Sequence, residues 1–148
     1  MANASDPYDL NRFVTAQQGG GGMAGYATAL AEVRAGAKVT HWMWYVFPQF
    51  AGLGFSAMSQ RYAIKSRAEA DAYLAHPVLG PRLVECAGAA LGVEDKSAFD
   101  IFGDPDDAKL KSCATLFAHV SSDGSVFHQL LERFFGGKRD EKTLRLLG

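Results

Sequence analysis

A chain of 148 residues, 48% hydrophobic and 21% charged, has the size of one globular domain. It can bury roughly 70% of its unfolded surface, so it folds without disulfide or metal staples. Its 15 basic and 16 acidic residues are mixed along the chain and leave a net charge of −1, which excludes the positive stripe that duplex nucleic acid or an anionic membrane selects. Neither is an expected partner, and the oligomeric state stays open.

The start Met1-Ala2-Asn3-Ala4-Ser5 carries no basic or apolar leader pattern, and the longest apolar run, Trp42 to Phe47, is too short to cross a bilayer. A cytoplasmic location is expected. In that compartment Cys86 and Cys113, which lack metal-ligand spacing, are expected to remain reduced apolar side chains. Residues 1–6 are expected to be poorly ordered, and the chain as a whole to form a single helical domain.

In chain order, the first predicted helix covers 9–17, with Leu10, Phe13 and Val14 on one face after Asp6-Pro7, and ends in the run Gly19-Gly20-Gly21-Gly22. The second turns Ala27, Leu30, Ala31 and Val33 towards the core, keeps Glu32 and Arg34 outside, and stops at Gly36. Residues 39–47 read equally well as a strand or a buried helix. Ser66-Arg67-Ala68-Glu69 is a capping box, opening a helix that reaches about Leu74 and closes at His76-Pro77. Gly80-Pro81 opens the next, with Leu83, Cys86, Ala87, Ala90 and Leu91 at helical spacing before Gly92.

Asp104-Pro105 supplies an oxygen cap followed by proline, with Asp106 and Asp107 at the positive end of the helix dipole and Leu110, Cys113, Ala114, Phe117 and Val120 on one face. Phe127, Leu130, Leu131 and Phe134 form the clearest apolar stripe, closed by Gly136-Gly137. Asp140 then caps a final turn carrying Leu144 and Leu147. No alternating segment is bounded by hairpin turns, so the fold class is all-α, with about seven to eight short helices and no significant sheet.

Gly20-Gly21-Gly22-Met23-Ala24-Gly25 has the glycine spacing of a dinucleotide fingerprint, but a helix rather than a strand precedes it, so it reads as a loop. His41, His76, His119 and His128 share no ligand spacing, and no metal or cofactor is expected. Gly54-Phe55-Ser56-Ala57-Met58 lacks the second glycine of a nucleophile elbow, which leaves Ser56 structural or ligand-contacting.

The run His41-Trp42-Met43-Trp44-Tyr45-Val46-Phe47-Pro48-Gln49 holds both tryptophans. Its simplest reading is core, because large aromatics favour burial. Around it lie Lys38, Ser56, Ser59, Arg61 and Tyr62, interleaved with Gly52 and Gly54: flat rings and hydrogen-bonding groups on broken backbone, the mixture a small-molecule pocket uses. Lys109, Ser112 and Thr115 recur at three-residue spacing on one side of their helix, where they either bond back to its carbonyls or complete such a pocket.

These residues also carry a family resemblance. Tyr8-Asp9-Leu10-Asn11-Arg12-Phe13-Val14 with Ala16-Gln17, Lys38, His41-Trp42-Met43-Trp44, Phe47-Pro48-Gln49, Gly52-Leu53-Gly54 and Ser56 resemble the bacterial family known as domain of unknown function 1810. Tyr62-Ala63-Ile64, His76-Pro77, Lys109-Leu110, Thr115-Leu116-Phe117 and Asp140 with Thr143-Leu144 extend the match over nearly the whole chain. The resemblance implies a mostly helical domain and brings no established activity; the glycine run departs from the family's usual sequence. A weaker similarity is to helical domains acting on NAD and ADP-ribose derivatives, including N-glycosidases of phosphorylated ribosides. Their Ser-Glu pair has no counterpart in Ser59-Gln60-Arg61-Tyr62, so the acid/base role is not carried over.

The expected ligand-binding residues are Lys38, His41, Trp44, Gln49, Ser56, Ser59, Tyr62, Lys109 and Thr115. Trp44 and Tyr62 would stack on a nucleotide-like or phosphorylated-sugar ligand, Lys38 or Lys109 would neutralise its charge, and His41 would donate a proton or hydrogen bond. No catalytic residue is assigned, and whether a reaction follows binding stays open. The alternative is a non-enzymatic interaction module or homo-oligomer whose interface is the aromatic block or the 127–135 stripe.

Overall fold

The computed structural model describes residues 5–148. The described residues form ten helices: α1 (Asn11–Gln17), α2 (Tyr26–Ala35), α3 (Met43–Val46), α4 (Ala57–Arg61), α5 (Arg67–Ala75), α6 (Leu79–Leu91), α7 (Ala98–Phe102), α8 (Asp106–His119), α9 (Val126–Phe135) and α10 (Glu141–Leu147). Pairing between extended segments is limited to two isolated bridges, Gly20 with Met23 and Phe50 with Ile64. The fold is all-α. Helices outnumber the expectation because α3, α4 and α7 have only four or five residues, too few to display a 3.6-residue period. The ambiguous run 39–47 contains one of them, the single turn α3.

Residues 1–4, part of the expected poorly ordered start, lie outside the described residues. Asp6 is anchored: its carboxylate accepts the amides of Leu10 at 2.7 Å and Asn11 at 3.0 Å, satisfying donors at the start of α1. Ser66, Ser97, Ser125 and Asp140 likewise cap α5, α7, α9 and α10 by accepting the amide three residues on.

Three local expectations are corrected. Glu69 does not complete the capping box: its Oε1 takes the Lys65 amide at 3.0 Å and its Oε2 the Arg12 guanidinium at 2.7 Å. At 3% exposure the carboxylate needs a buried cation more than a second cap. Asp104 does not cap α8, because Pro105 itself holds the cap position and the helix opens at Asp106. In α2 the buried residues are Tyr26, Ala29 and Val33, whereas Ala27 and Ala31 are exposed; the large Tyr26 ring sets which face turns inward.

One apolar cluster joins most helices, with α8 buried continuously from Ser112 to Ala118 and packed against α7, α9 and α10. Trp42, Tyr45 and Phe47 belong to it, at no more than 1% exposure. Burying one such ring, Phe47 for example, contributes about 2–3 kcal/mol. A buried amide ties the layers: Gln17 donates through Nε2 to the Tyr45 carbonyl at 2.8 Å and the Tyr73 hydroxyl at 3.4 Å, and accepts from Arg82 at 3.2 Å. No helix among the described residues is long and apolar enough to cross a membrane.

Candidate functional site

The segment after α3 is irregular but pinned. Ala51 donates to the Ile64 carbonyl and Ile64 to the Gln49 carbonyl, both at 2.9 Å, so the loop lies flat against residues 63–65. Farther on, Ser56 caps α4 by accepting the Ser59 amide at 3.1 Å, and its hydroxyl donates to the Ser59 hydroxyl at 2.9 Å. Only glycine fits at position 54: a Cβ there would stand 2.6 Å from the Ser59 Oγ and 2.7 Å from its Cβ.

Gln49, Gly54 and Ser59 therefore stand where two hollows meet. One, of 360 Å³, runs past Phe50, Gln60 and Ala63 to Lys65. The other, of 240 Å³, runs between Leu53 and the first turns of α8 to Lys109, Ser112, Asp140 and Lys142. Together they make a cleft with an amide and a hydroxyl at its centre and three ammonium groups along its length.

Its charge is offset only in part. The Lys109 ammonium lies 3.6 Å from Asp106 and 5.3 Å above the Trp44 ring. Lys65 and Lys142 form no ion pair among the described residues. Asp140 directs one carboxylate oxygen to the Thr143 amide at 3.0 Å and the Thr143 hydroxyl at 2.5 Å, so it serves the start of α10 as a cap. The cleft suits a compact anion with hydroxyl or carbonyl groups, since Lys presents point charges while Gln and Ser donate and accept.

Of the residues expected at the site, Gln49, Ser59 and Lys109 come together in this cleft, Ser56 is exposed at its edge, and Trp44 is half-buried behind Lys109. His41 is exposed and lines neither hollow. Three others are held in the frame. The Lys38 side chain is 6% exposed, its ammonium 2.8 Å from Asp106 and 2.7 Å from the Thr40 carbonyl. Tyr62 is 4% exposed, its ring packed 5.7 Å from Phe13 and 5.4 Å from Tyr45, so it offers no face for stacking. Thr115 is fully buried, donating to the Lys111 carbonyl at 2.8 Å and accepting the Asp140 amide at 2.9 Å; it fastens the start of α10 to α8. Ser112 also bonds back to its own helix, at the Ala108 carbonyl, yet borders the cleft.

Lys65, Gln60 and Lys142 were not among the expected residues. Their only sequence signal is charge or polarity at a helix edge, which most surface residues share.

The wall behind Lys38 is fixed by Glu32. Its carboxylate accepts the Val39 amide at 2.8 Å, the Thr40 amide at 3.0 Å, the Thr40 hydroxyl at 2.6 Å and the Trp42 indole at 2.9 Å. Burial raises its pKa, but these four donors outweigh it and hold the group at about 2. Burial, with Tyr62 close by, pushes the Tyr45 phenol up to about 12, consistent with a hydroxyl that donates to the Ala24 and His41 carbonyls.

Ser59 has a hydroxyl partner but no base beside it, so nothing activates it as a nucleophile. Ser125 stands 2.7 Å from His128 Nδ1, with Asp123 3.9 Å from Nε2, a composition that resembles a catalytic triad. Ser125 is the cap of α9 and Asp123 is fully exposed, so these residues build a helix start rather than a relay.

Over residues 7–147 the chain matches the model of a family described as protein of unknown function (DUF1810). No curated protein matches it. Among solved structures it is similar to the crystal structure of the conserved hypothetical protein Rv1873 from Mycobacterium tuberculosis, with 48% identity, a TM-score of 0.90, and coverage of 96% of this chain and 98% of that one. Sequence and fold agree over nearly the whole chain, and the chain belongs to the DUF1810 family.

Proposed function

We propose that the protein binds a small phosphorylated ligand, a nucleotide or sugar phosphate, in the cleft between the 49–56 loop and the first turns of α8 and α10. The observation that carries this reading is a pair of adjoining hollows that share Gln49, Gly54 and Ser59, one lined by Lys65 and the other by Lys109 and Lys142. Phosphate oxygens would be held by the ammonium groups through charge-assisted contacts, which are stronger than neutral ones. Gln49 and Ser59 would select among ligand hydroxyl and carbonyl groups. The cytoplasm is the compartment we infer, since both cysteines are unpaired and buried.

The interface alternative has less support. Trp42, Tyr45 and Phe47 face inward, so the aromatic block presents no flat apolar patch to a partner.

A thermal-shift series with nucleotides and sugar phosphates tests the proposal. A ligand at a hundred times its dissociation constant adds about 2.7 kcal/mol, and that shift should shrink in Ser59→Ala and Lys109→Met. If no such compound raises stability at millimolar concentration, the proposal fails.

A further inference from the structure

The cleft does not end at Lys142. A third hollow, of 520 Å³, shares Asp140 and Lys142 with the second and is lined by Lys111, Lys138, Arg139 and Glu141. None of its four cations forms an ion pair among the described residues, and Asp140 is committed to Thr143. In a chain of net charge −1, four cations against the two carboxylates of Asp140 and Glu141 leave a net positive balance along this part of the groove. A single phosphate does not need that length; a chain of phosphates does.

Phe55 stands beside the groove, lining none of the three hollows itself. It is 80% exposed, follows Gly54 of the cleft, and its carbonyl accepts Gln60 Nε2 at 2.8 Å. The Lys142 ammonium lies 6.0 Å from the centre of its ring. A single exposed aromatic needs no explanation in itself; this one is held at the cleft's edge beside a groove cation, with a free ring face. Sugars without a base would leave that face bare, whereas a nucleobase would cover it.

We infer that the ligand is a nucleoside diphosphate or polyphosphate, its base stacked on Phe55 and its phosphates running past Lys142 towards Lys138 and Arg139. This rests on the proposed phosphate cleft and narrows its occupant. Stacking supplies selectivity for a base, and the basic extension supplies selectivity for a second phosphate.

Calorimetric titration at low salt separates the two levels, with adenosine and uridine diphosphates, the matching monophosphates, ribose 5-phosphate, inorganic pyrophosphate and a single-stranded oligonucleotide as probes. At least one diphosphate should bind about tenfold more tightly than its monophosphate and than pyrophosphate. Phe55→Ala should weaken nucleotide binding by about 5- to 150-fold, the range of one base stacked on an aromatic ring, and leave pyrophosphate unchanged. The double variant Lys138→Ala/Arg139→Ala should erase the advantage of diphosphate over monophosphate. These positions are on the surface, and circular dichroism confirms the fold. Pyrophosphate binding as tightly as the diphosphates, or Phe55→Ala leaving nucleotides unaffected, overturns the inference. Ribose 5-phosphate binding more tightly than every nucleotide overturns it while the phosphate cleft stands. Tighter binding of a single-stranded oligonucleotide overturns the small-ligand occupant, and no binding by any probe overturns both readings.

Discussion

The Lys38 ammonium and the Asp106 carboxylate meet at 2.8 Å, joining the segment before α3 to the first turn of α8. Their side chains are 6% and 18% exposed, so neither charge is well solvated alone. Lys38→Ala would leave Asp106 with only the more distant Lys109. A cost of about 3 kcal/mol is expected, since removing one partner strands the other charge. Urea unfolding should show that loss, while ligand affinity in the folded fraction stays within about twofold of wild type, less than 0.5 kcal/mol. A variant of full stability that had lost binding would return Lys38 to the site.

Glu32 sets an acid limit on the same wall. Its folded pKa of about 2 lies below the ordinary 4.5, so its contribution is complete above about pH 4.5 and is lost as pH falls towards 2. Glu32→Gln should flatten that part of the stability curve and leave the chain weaker at neutral pH. Thermal unfolding between pH 2 and 7 measures both effects; a variant curve parallel to wild type would show that the four donors do not act through the charge.

Gly54 and Gly88 make an internal control. Gly54→Ala drives a Cβ into Ser59, so the hydroxyl pair must part; a loss of about 1–2 kcal/mol is expected from the forced shift, together with weaker ligand binding. Gly88 is exposed within α6, and a Cβ there meets nothing within 4 Å. Gly88→Ala should raise stability by up to about 1 kcal/mol and leave binding alone. Equal effects of the two substitutions would contradict the close approach at Ser59.

Both thiols should be inert in the folded protein. Burial, then the nearby Glu85 charge, pushes Cys86 up to about 12, and burial raises Cys113 well above its ordinary value. Neither thiolate is then available at pH 8. A thiol reagent should label neither cysteine until denaturant is added, then both; fast labelling of the folded chain would show that the core holding the two thiols opens.

Much of the fold was legible because its signals are local. Phe127, Leu130 and Leu131 recur at helical spacing and are buried in α9, and Asp140 caps α10 as read. The face of α2 was not, because alanines at 27 and 31 say little about burial beside a Tyr26 ring that dominates the packing. The site divides the same way. Gln49 and Ser59 lie on one broken stretch and could be grouped by proximity, whereas Lys65 is brought in by the pairing of Ile64 with residues 49–51 and Lys142 only by the packing of α10 on α8. Lys38 looks the same in sequence whether its ammonium faces a ligand or Asp106; only the fold distinguishes the two.

The glycine run has a practical consequence. Gly19 to Gly22 all take positive φ, Gly20 and Met23 close the loop on themselves, and a Cβ at Gly20, Gly21 or Gly22 would touch nothing within 4 Å. Extra residues spliced there would lengthen a loop that already turns outward, at a cost that grows only slowly with length. This bend is therefore a natural socket for an epitope or a genetically encoded reporter.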